Sequence, residues 1–216
     1  MEREQVVHDL LDGCAIAVVR ARDASLVERA AEALLEGGVR ILEITMTVPG
    51  AIDVIHRCST IPGTLLGAGT VLTADDVKRC ADAGAQFIVS PAFCPDVIDA
   101  AKRLDLVTVP GAMTPTEVLD GWRAGADFVK IFPASRLGPA FLSDVLAPFP
   151  TVRLAPTGGL TAENAADYLR AGASLLGFGS WLVNQSAMEA GDFAQIAQRA
   201  RTLHDRITDF REARHG

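Results

Sequence analysis

One phrase recurs four times along this chain and limits what it can become. An alanine-rich helical stretch ends at a glycine, and an apolar run follows at once. The phrase reads Glu36-Gly-Gly-Val-Arg-Ile-Leu-Glu-Ile, Asp82-Ala-Gly-Ala-Gln-Phe-Ile-Val-Ser, Arg123-Ala-Gly-Ala-Asp-Phe-Val-Lys-Ile and Arg170-Ala-Gly-Ala-Ser-Leu-Leu-Gly-Phe. Each glycine is expected to end its helix in the left-handed conformation, which side chains with a Cβ resist. Aligned on Gly38, Gly84, Gly125 and Gly172, the copies are spaced by 46, 41 and 47 residues. That spacing is too long for one strand–helix unit and suits two. Four further apolar runs, at 15–19, 65–69, 107–110 and 153–156, fall between the copies.

Eight strand–helix units with near-continuous apolar strands imply a parallel sheet covered on both faces. The eightfold count favours a closed (β/α)8 TIM barrel with an extra N-terminal helix over an open doubly wound sheet. No GxGxxG follows the first run, which weakens the open alternative. With 216 residues and no linker, the expectation is one barrel domain spanning 1–216. Thr114-Pro115-Thr116-Glu117 has the form of a capping box with proline at the first helical position. In the last helix, Phe193, Ile196, Ala197, Ala200, Leu203 and Ile207 share one face.

Several functions are disfavoured by composition. A net charge of -7 without a basic run argues against nucleic acid as a partner. The start, Met1-Glu-Arg-Glu-Gln, is too charged for a signal peptide, and no apolar stretch is long enough to span a bilayer. Cys14, Cys58, Cys80 and Cys94 form no CxxC pair and read as reduced thiols of a cytoplasmic protein. His8, His56, His204 and His215 are scattered, so no metal site is expected from them.

The chain has three lysines against 17 arginines. Lys78 and Lys102 each stand beside an arginine in helical stretches and read as solvated. Lys130 instead sits inside the apolar run Phe128-Val-Lys-Ile-Phe132. A cation there must find a partner or lose its proton, and an unprotonated amine is a nucleophile able to form a Schiff base. In the repeat, Lys130 stands five residues after its glycine, where the other copies carry Glu43, Val89 and Gly177. Alternate barrel strands fill one interior layer, so this register turns Glu43 and Lys130 toward each other and leaves space at Gly177. A slip of one residue would turn both outward. A structural ion pair satisfies the same pattern, and at this point both readings stand.

Small polar residues crowd the C-terminal ends of the apolar runs, where barrel active sites lie: Arg20, Thr45, Thr47, Thr70, Ser90, Thr157 and Ser180. Thr73 and Thr161 are more simply helix N-caps. The seventh run ends in Pro156-Thr-Gly-Gly159 and the eighth in Gly177-Phe-Gly-Ser180. Exposed backbone N–H groups in these two loops form the usual phosphate corner of a barrel. Arg20, closing the first run, is either solvated or a holder of a carboxylate or phosphate.

Taken in order, Ala17-Val-Val-Arg20, Gly37-Gly-Val-Arg-Ile-Leu-Glu-Ile-Thr45, Gly67-Ala-Gly-Thr-Val-Leu72, Ile88-Val-Ser-Pro91, Val129-Lys-Ile-Phe-Pro133, Pro156-Thr-Gly-Gly159 and Gly179-Ser-Trp-Leu-Val183 form a specific set. In them the chain resembles the class I 2-keto-3-deoxy-6-phosphogluconate (KDPG) aldolases, many of which also cleave 4-hydroxy-2-oxoglutarate (KHG). The resemblance implies Lys130 as the Schiff-base lysine and Glu43 as general acid and base. It implies Thr70 and Thr157 on substrate oxygens, Pro91 and Phe132 in the pocket wall, and Gly158, Gly159, Gly179 and Ser180 at a phosphate. It further implies a homotrimer with no metal or cofactor, acting on a small keto-acid phosphate. One position departs: many members carry Arg where this chain has Thr47. Anion binding therefore falls to Arg20, with Thr47 as a neutral donor. Rival readings are cleavage of KHG or of the galactonate epimer, a sugar-phosphate isomerase or decarboxylase, and a non-catalytic sugar-phosphate binder.

Overall fold

A computed structural model describes residues 2–215; Met1, Gly216 and the side chains of Arg214 and His215 lie outside that description. Helix α1 (Arg3–Gly13) precedes β1 (Ala15–Val19), and a single turn at Ala24–Leu26 leads into α2 (Val27–Glu36). Strands and helices then alternate as β2 (Ile41–Thr45), α3 (Ala51–Ser59), β3 (Leu65–Gly69), α4 (Ala74–Asp82), β4 (Phe87–Val89) and α5 (Pro95–Arg103). Next come β5 (Val107–Val109), β6 (Gly111–Ala112), α6 (Pro115–Arg123), β7 (Val129–Ile131) and α7 (Ala134–Leu146), the last kinked at Gly138-Pro139. The chain continues with β8 (Leu154–Pro156), α8 (Ala162–Arg170), β9 (Leu176–Phe178), α9 (Gln185–Glu189) and α10 (Phe193–His215).

All strand pairs are parallel. One sheet has the order β5-β4-β3-β2-β1-β9, and a second has β6-β7-β8. Isolated parallel bridges, Leu154 to Ala173 and Thr157 to Gly177, connect the second sheet to the strand-nine region. Two strand boundaries differ from the sequence reading. The run at 107–110 yields only β5, which stops at Val109 because Pro110 has no N–H to give the ladder, and a further short strand, β6, follows outside that run at Gly111–Ala112. The run at 153–156 begins as strand only at Leu154.

The expected helix endings are present. Gly38, Gly84, Gly125 and Gly172 have φ of 89°, 102°, 88° and 99°, and a strand follows each. Thr114 and Glu117 form the expected capping box, and Thr73 caps α4 through the Asp76 amide.

Each strand divides its side chains between two apolar layers. Ala15, Ala17 and Val19 join the helices' apolar faces, including Ile196, Ala200, Leu203 and Ile207 of α10. Ile16, Val18, Ile41, Leu65, Phe87 and Val89 instead pack together on the concave side. Helix α1 closes the N-terminal end of this inner layer with Val6 and Leu10. Its position is locked by Arg3, whose guanidinium donates to Asp127 Oδ1 at 2.7 Å, while Asp127 Oδ2 accepts the Thr108 amide at 2.9 Å. At the other end of α1, Arg211 of α10 donates to the Leu11 carbonyl at 2.6 Å and to the Asp12 carbonyl, satisfying terminal acceptors of that helix. With the N-terminal end plugged, the strands' C-terminal ends are left to carry chemistry.

Candidate active site

The inward register brings Lys130 and Glu43 together. Lys130 is the middle residue of β7 and Glu43 the middle residue of β2. Their Nζ and Oε1 atoms are 3.9 Å apart, with side-chain exposures of 6% and 3%. That distance is ionic contact and lies beyond hydrogen-bond reach. Among the described residues, Glu43 Oε1 is buried with no hydrogen-bond partner. Buried acceptors are nearly always paired, so an idle one beside a buried amine calls for a reason, and a reacting substrate supplies one.

Glycines make the room. A Cβ on Gly69 would collide with the Glu43 carboxylate, and one on Gly177 would collide with the Thr157 hydroxyl. Thr157 follows β8 and donates from Oγ1 to the Ala155 carbonyl at 3.3 Å. Phe132 follows β7, its ring centroid 5.4 Å from Lys130 Nζ, within cation–π range. A cavity of about 420 Å³ opens beside this group.

Eight of the residues named from sequence line the cavity. Lys130, Phe132, Thr157 and Arg20 are four of them; Gly158, Gly159, Gly179 and Ser180 supply the glycine corner. Gly158 and Gly159 have φ of 96° and 79°, a conformation open to glycine at little cost. Nothing lies within 4 Å of where a Gly179 Cβ would stand, so its backbone faces open space. Arg20 is exposed and makes no hydrogen bond or ion pair among the described residues.

The remaining candidates are outside the cavity lining: Glu43 within β2, and Thr47, Thr70 and Pro91 just after β2, β3 and β4. Glu43 reaches the site through Lys130. Thr47 is exposed, its hydroxyl 2.8 Å from that of Thr45. Thr70 follows Gly69 with φ of 59°, an uncommon conformation for a β-branched residue. Pro91 packs so closely on Gly111 that a Cβ there would meet its carbonyl. Thr45 and Ser90 are committed to the scaffold, donating to the carbonyls of Val19 at 3.3 Å and Val71 at 2.8 Å.

Sequence reasoning missed other lining residues: Val18, Leu160, Thr161, Trp181, Val183 and Gln185. Inward alternation along β1 could have flagged Val18. Thr161 reads from sequence only as a cap, a role it also fills. Gln185 carries no local signal. Among the described residues, no cluster of three or more His, Cys, Asp or Glu could hold a metal ion, and no helix is long and apolar enough to cross a membrane.

A buried amine facing a buried carboxylate with an idle oxygen, on neighbouring arcs of parallel strands beside a cavity, is the arrangement of an α/β enzyme that can form an imine. The family described as KDPG and KHG aldolase matches residues 7–199, and the chain belongs to it. It is similar to the KHG/KDPG aldolase of Escherichia coli (strain K12), with 39% identity over 173 residues, covering 79% of this chain and 81% of that one. It is also similar to the probable 2-dehydro-3-deoxy-6-phosphogalactonate aldolase of Rhizobium meliloti (strain 1021), with 38% identity over 195 residues and coverage of 89% and 92%. Among solved structures, the KDPG aldolase of Legionella pneumophila, with pyruvate captured as a covalent carbinolamine, superposes with a TM-score of 0.84. Identity there is 29%, over 94% of this chain and 98% of that one.

Proposed function

We propose that this enzyme is a class I aldolase that reversibly cleaves KDPG to pyruvate and glyceraldehyde 3-phosphate. The observation that carries the reading is the Lys130–Glu43 pair, 3.9 Å apart and buried, beside a cavity with a glycine corner. Unprotonated Lys130 attacks the C2 ketone, and loss of water gives a protonated imine that acts as an electron sink. Glu43, with its idle oxygen, accepts the C4 hydroxyl proton. The C3–C4 bond breaks, its electrons pass into the imine as an enamine, and glyceraldehyde 3-phosphate leaves. Glu43 returns the proton to the enamine carbon, and hydrolysis of the pyruvate imine frees Lys130.

Other groups supply binding. Backbone amides around Gly158, Gly159 and Gly179, with the Ser180 hydroxyl, hold the phosphate; the open space at Gly179 supports this role. Arg20, unpaired among the described residues, holds the carboxylate, with Thr47 as a neutral neighbour. Thr157 and Thr70 hydrogen-bond substrate oxygens, while Phe132 and Pro91 form pocket wall. The galactonate epimer is the second reading, favoured by the Rhizobium meliloti relative; turnover of KDPG, its epimer and KHG side by side ranks the three.

We also infer that the two sheets are arcs of one closed (β/α)8 barrel spanning 1–216. The continuity of β5 and β6 through Pro110 and the bridge from Thr157 to Gly177 support closure. The family resemblance supports a cytoplasmic homotrimer, and Leu72 and Met113, 50% and 45% exposed, are available to a second copy. Light scattering after gel filtration measures that assembly. The aldolase reading itself is tested with pyruvate and borohydride followed by mass spectrometry. A reduced pyruvyl adduct on Lys130 is the expected product, and active protein without it would remove the imine mechanism.

A further inference from the structure

We infer that Gln185 is a specificity-determining residue, which holds the phosphate end of the substrate; this rests on the aldolase reading above. Gln185 opens the short helix α9 and lines the same cavity as Lys130, Gly159 and Ser180. Its Nε2 donates to Glu189 Oε1 at 2.8 Å, one helical turn on. A carboxylate only accepts, so this bond fixes which way the amide faces, nitrogen toward Glu189. The amide has two N–H groups and the bond uses one. The second N–H has no partner among the described residues, and Gln185 lines the cavity.

Such a donor suits an anionic oxygen. A terminal phosphate presents more acceptor sites than the glycine amides and one serine hydroxyl fill. Of the other neutral side chains at the cavity, Thr157 already donates to Ala155, and Thr161 belongs to the capping box of α8. Glu189 would by itself repel an anion, but its Oε1 also faces Arg22 Nη1 at 3.9 Å. Arg22 lies two residues beyond Arg20, so the relay Gln185–Glu189–Arg22 ties this donor to the loop that carries the free guanidinium. Anchoring the amide before substrate arrives also reduces the entropy lost on binding.

The test compares wild type with Gln185→Ala, Gln185→Leu and Glu189→Gln, using KDPG and the unphosphorylated substrate KHG. For either Gln185 variant, the KM for KDPG should rise about tenfold, in keeping with loss of a charge-assisted hydrogen bond. Its kcat should stay within about twofold, because in this assignment the amide meets the phosphate and not the reacting carbons. Both constants for KHG should be unchanged. Glu189→Gln, which replaces the fixed acceptor, should raise the KM for KDPG by about threefold. An unchanged KM for KDPG, or equal changes with both substrates, would overturn the assignment. Pyruvate trapping on Lys130 separates the two levels. Trapping in every variant with no shift in KM rejects Gln185 alone, whereas no trapping in wild type rejects the aldolase reading and this inference with it.

Discussion

Lys130 and Glu43 face each other at 3.9 Å, yet Glu43 Oε1 keeps no hydrogen-bond partner among the described residues. A pair built for stability would close that gap, since a buried charge returns its desolvation cost only when well bonded. Lys130→Arg should therefore abolish pyruvate trapping, because a guanidinium stays protonated. Glu43→Gln should retain pyruvate binding and lower kcat by about 10²-fold or more. Near-wild-type turnover in that variant would reject the acid–base role.

The same relationship predicts a trade of activity for stability. Lys130→Ala leaves Glu43 buried without its cation and should destabilise the fold by about 3–5 kcal/mol. The double change Lys130→Met with Glu43→Gln removes both charges while keeping volume, and should unfold at least as late in urea as wild type. If the double variant is as weak as Lys130→Ala, the pair is structural.

Thr70 holds φ at 59° immediately after Gly69, the glycine that makes room for Glu43. Left-handed backbone in a β-branched residue costs on the order of 1 kcal/mol or more. Thr70→Gly should raise the unfolding free energy by about 1 kcal/mol and, on the proposed role of the Thr70 hydroxyl, lower kcat/KM, since glycine carries none. A denaturation midpoint unchanged or lowered would show that Thr70 is not strained.

Much of this architecture is legible because it depends on residues with few alternatives. Gly38, Gly84, Gly125 and Gly172 occupy positive φ, so their spacing exposes the strand–helix period. That period turns Glu43, Val89 and Lys130 inward: Val89 packs with Ile16 and Phe87 on the concave side, and Glu43 meets Lys130. The polar strand ends were less informative. Thr45 and Ser90 look functional in sequence but bond to the backbone of neighbouring segments. Gln185 fails in the opposite direction: a glutamine in a short surface helix has no pattern of its own, and only the tertiary fold brings it to the cavity. The short strand at Gly111–Ala112 carries too few apolar residues to read as a run of its own after Pro110.

The cysteines carry a pH signature. Burial pushes the Cys58 thiol up to about 11 and the Cys80 thiol up to about 12, both from an ordinary value of 9.0. At pH 8 neither supplies appreciable thiolate, so an alkylating reagent should reach half-buried Cys94 first and all four cysteines only after unfolding. Above pH 9 the unfolded chain releases these protons while the folded chain retains them, so stability present below pH 9 is lost as pH rises toward 11 to 12. Cys58→Ala with Cys80→Ala should flatten that alkaline loss, measured as urea midpoints across the range. An unaltered slope would mean that other groups cause it.

Helix α1 tests whether the closed end of the inner layer supports the open one. Leu10 is fully buried among inner-layer residues, and Arg3 reaches Asp127 at 2.7 Å. Leu10→Ala should cost about 2–5 kcal/mol through the cavity it leaves. Arg3→Ala should cost less, about 1–3 kcal/mol, because Arg3 is partly exposed while Asp127 is left buried and half satisfied through the Thr108 amide. Neither side chain touches the Lys130 cavity, so at temperatures well below unfolding both variants should keep wild-type kcat and KM. A drop in kcat in the folded Leu10→Ala enzyme would instead mean that inner-layer packing between Phe87, Val89 and Phe128 is transmitted to Lys130, two residues beyond Phe128.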